Sequence, residues 1–64
     1  MTKEECKKYI GKLCHIILED GGFIGIIEEI EEENGEDWIM LDEGYAIRVK
    51  AIKKISILDD RGLQ

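Results

Sequence analysis

Cys6, Cys14 and His15 are the side chains whose types best suit metal binding or nucleophilic chemistry. Together they offer three zinc ligands, or a thiol beside a base. A structural zinc site brings paired ligands at short spacing, and no CxxC pair exists here. A nucleophilic cysteine needs a base within reach and a third group that orients the base. Neighbouring side chains on a strand point to opposite faces, so Cys14 and His15 diverge. The expectation is a buried thiol beside a surface histidine, with no metal, no cofactor and no catalysis. Gly21-Gly22-Phe23-Ile24-Gly25 is glycine-rich, yet it lacks the lysine and the following helix of a phosphate loop.

Two charged stretches remain. The acidic run from Glu28 to Asp37 concentrates like charge on one hairpin, where it repels. It serves solubility and protects a strand edge, and it also suits a basic partner. The candidate partner-binding residues are Glu31, Glu33, Glu36 and Asp37, with Trp38 as an apolar anchor. Arg48, Lys50, Lys53 and Lys54 form the basic counterpart. Arg48, Lys50 and Lys53 are the candidates for binding RNA, and Trp38 and Tyr45 have rings that stack on bases. Lysines on an exposed strand also block edge pairing.

The elements that must position these residues follow from pattern. The 64 residues, of which 44% are hydrophobic and none is proline, make one domain, 1–64. The net charge of −6 discourages non-specific contact with nucleic acid or anionic membrane. Two cysteines cannot build a secreted disulfide framework, and neither a signal peptide nor a membrane-spanning stretch is visible. The expected location is the cytoplasm.

Thr2-Lys3-Glu4-Glu5 has the form of a capping box. It opens a short helix over about 3–8, with Cys6, Tyr9, Ile10 and Leu13 at helical spacing. From Lys12 the period becomes two. Strands are expected at about 12–18, 23–32, 37–42, 45–50 and 54–58. Cys14, Ile16 and Leu18 face the core; Leu13, His15 and Ile17 make an unusually apolar second face. Asp20-Gly21-Gly22 forms the first turn and Asn34-Gly35 the second. Gly25 marks a bend in the long second strand. Gly44 turns the chain again, and Ala51-Ile52-Lys53 makes a tight turn. Ile55 and Ile57 share one face of the fifth strand, and Asp59 to Gln64 is a polar, frayed end. The fold class is mainly β: a short N-terminal helix, then a five-stranded, strongly bent antiparallel small barrel. A domain this small is stabilised by self-association, so a homo-oligomer is expected, through a sheet edge or the face of Leu13 and Ile17.

Gly11-Lys12, followed by Cys14, Ile16, Leu18 and Asp20-Gly21, resembles the opening of the first Sm motif. Phe23, Gly25 and Ile27 resemble its continuation, and Ile47-Arg48 with Ile52 and Ile55 resembles the second motif. The chain is thus similar to Sm-like proteins over roughly Lys3 to Leu58. That resemblance implies an SH3-type barrel and, through Arg48, an RNA-binding ring. Where RNA-binding members carry an aspartate and an asparagine, Glu28 to Glu33 stands here, and Val49 replaces the glycine after the arginine. In size, acidity and strand order the chain also resembles the acidic Rof-type inhibitors of the Rho terminator. This second resemblance implies a protein partner, with the chain regulating or inhibiting a nucleic-acid-binding protein. The protein partner is the first expectation and the RNA-binding ring the alternative.

Overall fold

A computed structural model describes residues 1–59. Helix α1 (Lys3–Lys7) opens with the expected capping box. Thr2 Oγ1 accepts from the Glu5 amide at 3.2 Å, and Glu5 Oε1 accepts from the Thr2 amide at 2.8 Å. Five residues cannot sustain a helix alone. Cys6, fully buried, anchors it in the core. The helix stops before Ile10 because the chain tightens after Lys7. The Tyr9 amide bonds the Cys6 carbonyl at 3.0 Å, and the Ile10 amide bonds that of Lys7 at 3.3 Å. Ile10 therefore leaves the apolar face on which its spacing placed it, and is 41% exposed.

Five strands follow: β1 (Leu13–Leu18), β2 (Gly21–Glu33), β3 (Glu36–Leu41), β4 (Ala46–Arg48) and β5 (Ile52–Asp59). A 3-10 turn, Val49–Ala51, separates the last two. They form one antiparallel sheet in the order β4-β3-β2-β1-β5. The fold is mainly β with one short N-terminal helix. The sheet bends strongly but stays open, with β4 and β5 as its edges.

The bend lies in β2. Its first part, to Ile26, pairs with β1, and its second part, from Ile27, pairs with β3. Gly25 is buried beside the change of partner. A Cβ there would lie 3.1 Å from Asp42 Oδ1 and 3.6 Å from Leu41 Cδ1. That oxygen is already held, accepting from the Ile26 amide at 3.1 Å. The Asp42 amide returns a bond to the Ile26 carbonyl at 3.0 Å. Glu28, an extra residue in the β2–β3 ladder, adds a bulge just beyond the bend.

Asn34 and Gly35 both have positive φ, 54° and 80°, the requirement of the two-residue turn their types favour. The first hairpin differs from expectation. Gly21 already pairs with Leu18, so Glu19 and Asp20 make the reversal. The fourth strand is shorter than expected, because Val49 enters the 3-10 turn ahead of the position given to a turn at 51–53.

The buried core is entirely apolar among the described residues and rich in isoleucine. Cys14 and Ile16 enter it from β1, Ile27 from β2, Ile39 and Leu41 from β3. Leu18 packs against its rim. On β5 Ile55 and Ile57 share one side as expected, opposite Ile16 and Cys14; Ile55 and Ile52 are buried, while Ile57 stays 42% exposed. Strict alternation cannot place residues three apart on one face. The β1–β5 ladder shifts twice, leaving Lys53 and Leu58 as extra residues. The Lys53 bulge restores Ile52 to the inward side. Asp59, expected to begin the tail, ends β5; the rest of that expected tail lies outside the described residues.

The crowding at Gly25 generates a prediction. Gly25→Val should destabilise the fold by about 1–3 kcal/mol through overpacking. Much of the cost should come from expelling the Asp42 carboxylate, so the two positions are coupled. In a double-mutant cycle by urea denaturation, Gly25→Val should cost about 1 kcal/mol less in an Asp42→Ala background. Additive effects would refute this account of the bend.

Candidate functional site

Tight turns fix which outward residues meet on the second half of the sheet. The Asp42–Gly44 turn is closed by the Leu41 amide, which bonds the Tyr45 carbonyl at 2.8 Å. Counting back from it, Met40 faces Ala46 and Trp38 faces Arg48. Counting back from Asn34-Gly35, Glu33 faces Glu36, Glu31 faces Trp38 and Glu29 faces Met40. Residues on alternate positions share a face. One surface therefore carries Glu29, Glu31 and Glu33 on β2, Glu36, Trp38 and Met40 on β3, and Ala46 and Arg48 on β4.

At its centre Arg48 lies over Trp38, with the guanidinium carbon 5.1 Å from the ring centre. Arg48 Nε is 2.7 Å from Glu36 Oε1. The oxygen is shielded from solvent and makes no hydrogen bond. The contact is thus an ion pair stacked beside an indole. Trp38 Nε1 is likewise shielded and without an acceptor. Beside this cluster, Glu31, Glu33, Trp38, Met40 and Ala46 line a depression of about 120 Å³.

The expected acidic set divides. Glu31 and Glu33 are exposed. Glu36 and Asp37 are half-buried and engaged within the chain, Glu36 with Arg48 and Asp37 with Lys3 at 4.0 Å. Glu36 therefore does not stand at an open hairpin end, because the β3–β4 register brings a cation to it. The sequence reading overlooked Glu29, Met40 and Ala46. The turn length carried the missing signal, since it sets the cross-strand partners.

The expected basic set does not form one surface either. Arg48 and Lys50 border a depression shared with Met1, Gly35, Glu36 and Asp37. Lys50 and Lys53 border a separate groove with Glu19, Asp20 and Phe23. Lys53 is paired with Glu19 at 3.4 Å. Tyr45 packs on Phe23, with ring centres 5.1 Å apart, rather than beside Trp38. Cys6 and Cys14 are free and fully buried. Desolvation pushes both thiols up, which disfavours the nucleophilic thiolate. Cys14 faces inward and His15 outward. Among the described residues no three of His, Cys, Asp and Glu gather as metal ligands. No described helix is long and apolar enough to cross a membrane.

The charge of the stretch that forms this hairpin is one-sided. Nine carboxylates and no lysine or arginine lie between Glu28 and Glu43. The Glu31 carboxyl is raised above its ordinary range, first by a hydrogen bond with Glu29 that favours its protonated form. Repulsion from Glu29, a little desolvation and repulsion from Glu33 follow. A carboxyl raised on folding contributes stability below its unfolded pKa and loses it as pH rises through the folded value. Glu31→Gln should therefore be more stable than the parent at neutral pH, and this gain should vanish below the ordinary glutamate value of 4.5. Urea midpoints of parent and variant at both pH values test it. An equal difference at both would contradict repulsion along β2.

In comparisons with known protein families, curated proteins and solved structures, the chain matched none.

Proposed function

We propose that this chain is a non-catalytic, Sm-like or SH3-like interaction module that binds a protein through the acidic face of β2–β3. The observation that carries the proposal is the unmatched row of Glu29, Glu31 and Glu33 beside the Trp38–Met40–Ala46 depression. Carboxylates at alternate strand positions stand about 6.8 Å apart. A partner with lysines or arginines on a similar repeat would relieve their repulsion, while Trp38 and Met40 supply apolar contact. Such basic surfaces occur on proteins that bind nucleic acid. Occupying one with carboxylates would make the chain a regulator or inhibitor of its partner, acting in the cytoplasm. The alternative, an Sm-like RNA-binding ring, has less support because Arg48 is tied to Glu36 and Trp38.

Trp38 is the only tryptophan, so its fluorescence reports on this face. Titration with an extended peptide carrying lysine at alternate positions should change the emission. Glu31→Lys combined with Glu33→Lys should weaken binding at least tenfold, and added salt should weaken it steeply. Labelled single-stranded RNA should not bind at physiological salt. RNA affinity tighter than about 10 μM at ~0.15 M salt, abolished by Arg48→Ala, would reverse the two readings.

A further inference from the structure

The bend in β2 divides the outer surface of the sheet. Beyond Ile27 it is acidic. Before Ile27, where β2 pairs with β1 and β1 with β5, its β1 and β2 positions are mostly aliphatic. Leu13 faces Ile26, His15 faces Ile24, and all four side chains lie outward, opposite in phase to buried Cys14 and Ile16. Ile17 continues the row. Ile24 is 60% exposed, and Leu58, the extra residue of the β5 bulge near Leu13, is 52% exposed. None of Leu13, Ile17, Ile24 and Ile26 belongs to the core or packs against it. A contiguous aliphatic face on a strongly charged small domain marks an interaction surface.

We propose that two copies of this chain associate face to face through this half of the sheet, around a two-fold axis. Charge layout selects a second copy as the occupant. The densest acidic stretch, Glu28 to Glu43, lies on the other side of the bend, so this contact does not bring the two stretches together. On β5 the face is bordered by Lys54 opposite Ile17 and by Asp59 opposite Leu13. A two-fold axis across the strands, along the row of His15 and Ser56, exchanges the two ends of the patch. Each Lys54 then meets the other copy's Asp59, a carboxylate able to accept more than one bond. The surface is thus self-complementary in charge as well as apolar, as an isologous contact requires.

The patch is three strands wide and three outward rows long, about 14 by 20 Å at standard strand spacings. That is below the size of a permanent interface, so association is reversible and concentration-dependent. The dimer leaves both acidic faces uncovered. It goes beyond the proposed function by presenting those faces in pairs, which raises avidity for a partner with two basic sites.

Sedimentation equilibrium from about 10 μM to about 1 mM tests the proposal, a range suited to a small, transient interface. The average mass should rise from 7.4 kDa towards twice that value. Ile24→Arg should hold the protein at single-chain mass throughout, with circular dichroism and binding of the basic peptide unchanged. Leu58→Arg provides a second variant should the first fail to fold. Lys54→Glu should weaken association severalfold. A parent that stays monomeric across the range would overturn the proposal. So would a folded Ile24→Arg or Leu58→Arg that associates like the parent. Association abolished by salt and by Glu31→Lys with Glu33→Lys would move the contact to the acidic hairpin and also overturn it.

Discussion

The rest of the structure depends on one strand serving two ladders. At Ile26 and Ile27, β2 leaves β1 and joins β3, and backbone groups at such a change of partner are easily orphaned. Buried orphans are costly, so each needs a replacement. Asp42 supplies two bonds to Ile26, one from its amide and one through its carboxylate. The loop before β1 supplies the others. The Gly11 amide bonds the Ile27 carbonyl at 2.7 Å, and the Lys12 carbonyl accepts from the Ile27 amide at 3.4 Å. Gly25 leaves room for the Asp42 carboxylate. The bend is therefore held from both sides by neighbouring turns, and the sheet can wrap round its isoleucine core without closing.

The same bend sorts the surface. A regular, flat β2 would carry Ile24, Ile26, Glu28 and Ile30 on one plane; the Glu28 bulge instead turns Glu29 and Glu31 outward beyond the bend. Bent, it gives two outer faces of opposite character. Along this hairpin like charges oppose one another directly: Glu33 against Glu36 on the acidic face, and Glu32 against Asp37 on the opposite side. Such pairs destabilise a ladder. Arg48 and Lys3 offset part of the repulsion, and they do so at Glu36 and Asp37, the strand nearer to each cation. Glu29, Glu31 and Glu33 keep theirs. Their mutual repulsion opposes stability, and a basic surface of the kind proposed above would relieve it.

Local signals in the sequence carried most of the fold. Thr2 and Glu5 announced the helix cap, Asn34-Gly35 the second hairpin, and Gly25 the bend, because each depends on the chemistry of adjacent residues. The β5 pattern was legible in part: Ile55 and Ile57 share the inward side, opposite Ile16 and Cys14, but the inward place of Ile52 was not. Ile52, Ile55 and Ile57 look like two possible phases of alternation, and the bulges that choose between them arise from pairing with β1. The candidate site was half legible. Glu31, Glu33 and Trp38 share a face as their spacing requires. Arg48, the RNA-binding candidate of the alternative reading, shares that face with Trp38, which charge runs taken separately along the chain do not reveal. Residues 38 and 48 are symmetric about the Asp42–Gly44 turn, so a tight hairpin there must set them side by side.

That juxtaposition changes what the basic residues contribute. An arginine stacked on an indole and paired with a carboxylate is held in one orientation, and its charge is largely neutralised locally. It keeps Trp38 fixed at the edge of the acidic row instead of presenting a free cation. Fixing an aromatic anchor lowers the entropy lost on binding. Under the proposed function, Arg48 thus supports the acidic face from within. Of the basic stretch only Arg48 joins the acidic face, opposite Trp38 and beside Glu36; Lys53 pairs with Glu19 and Lys54 lies opposite Ile17, so the unmatched charge of that face stays negative.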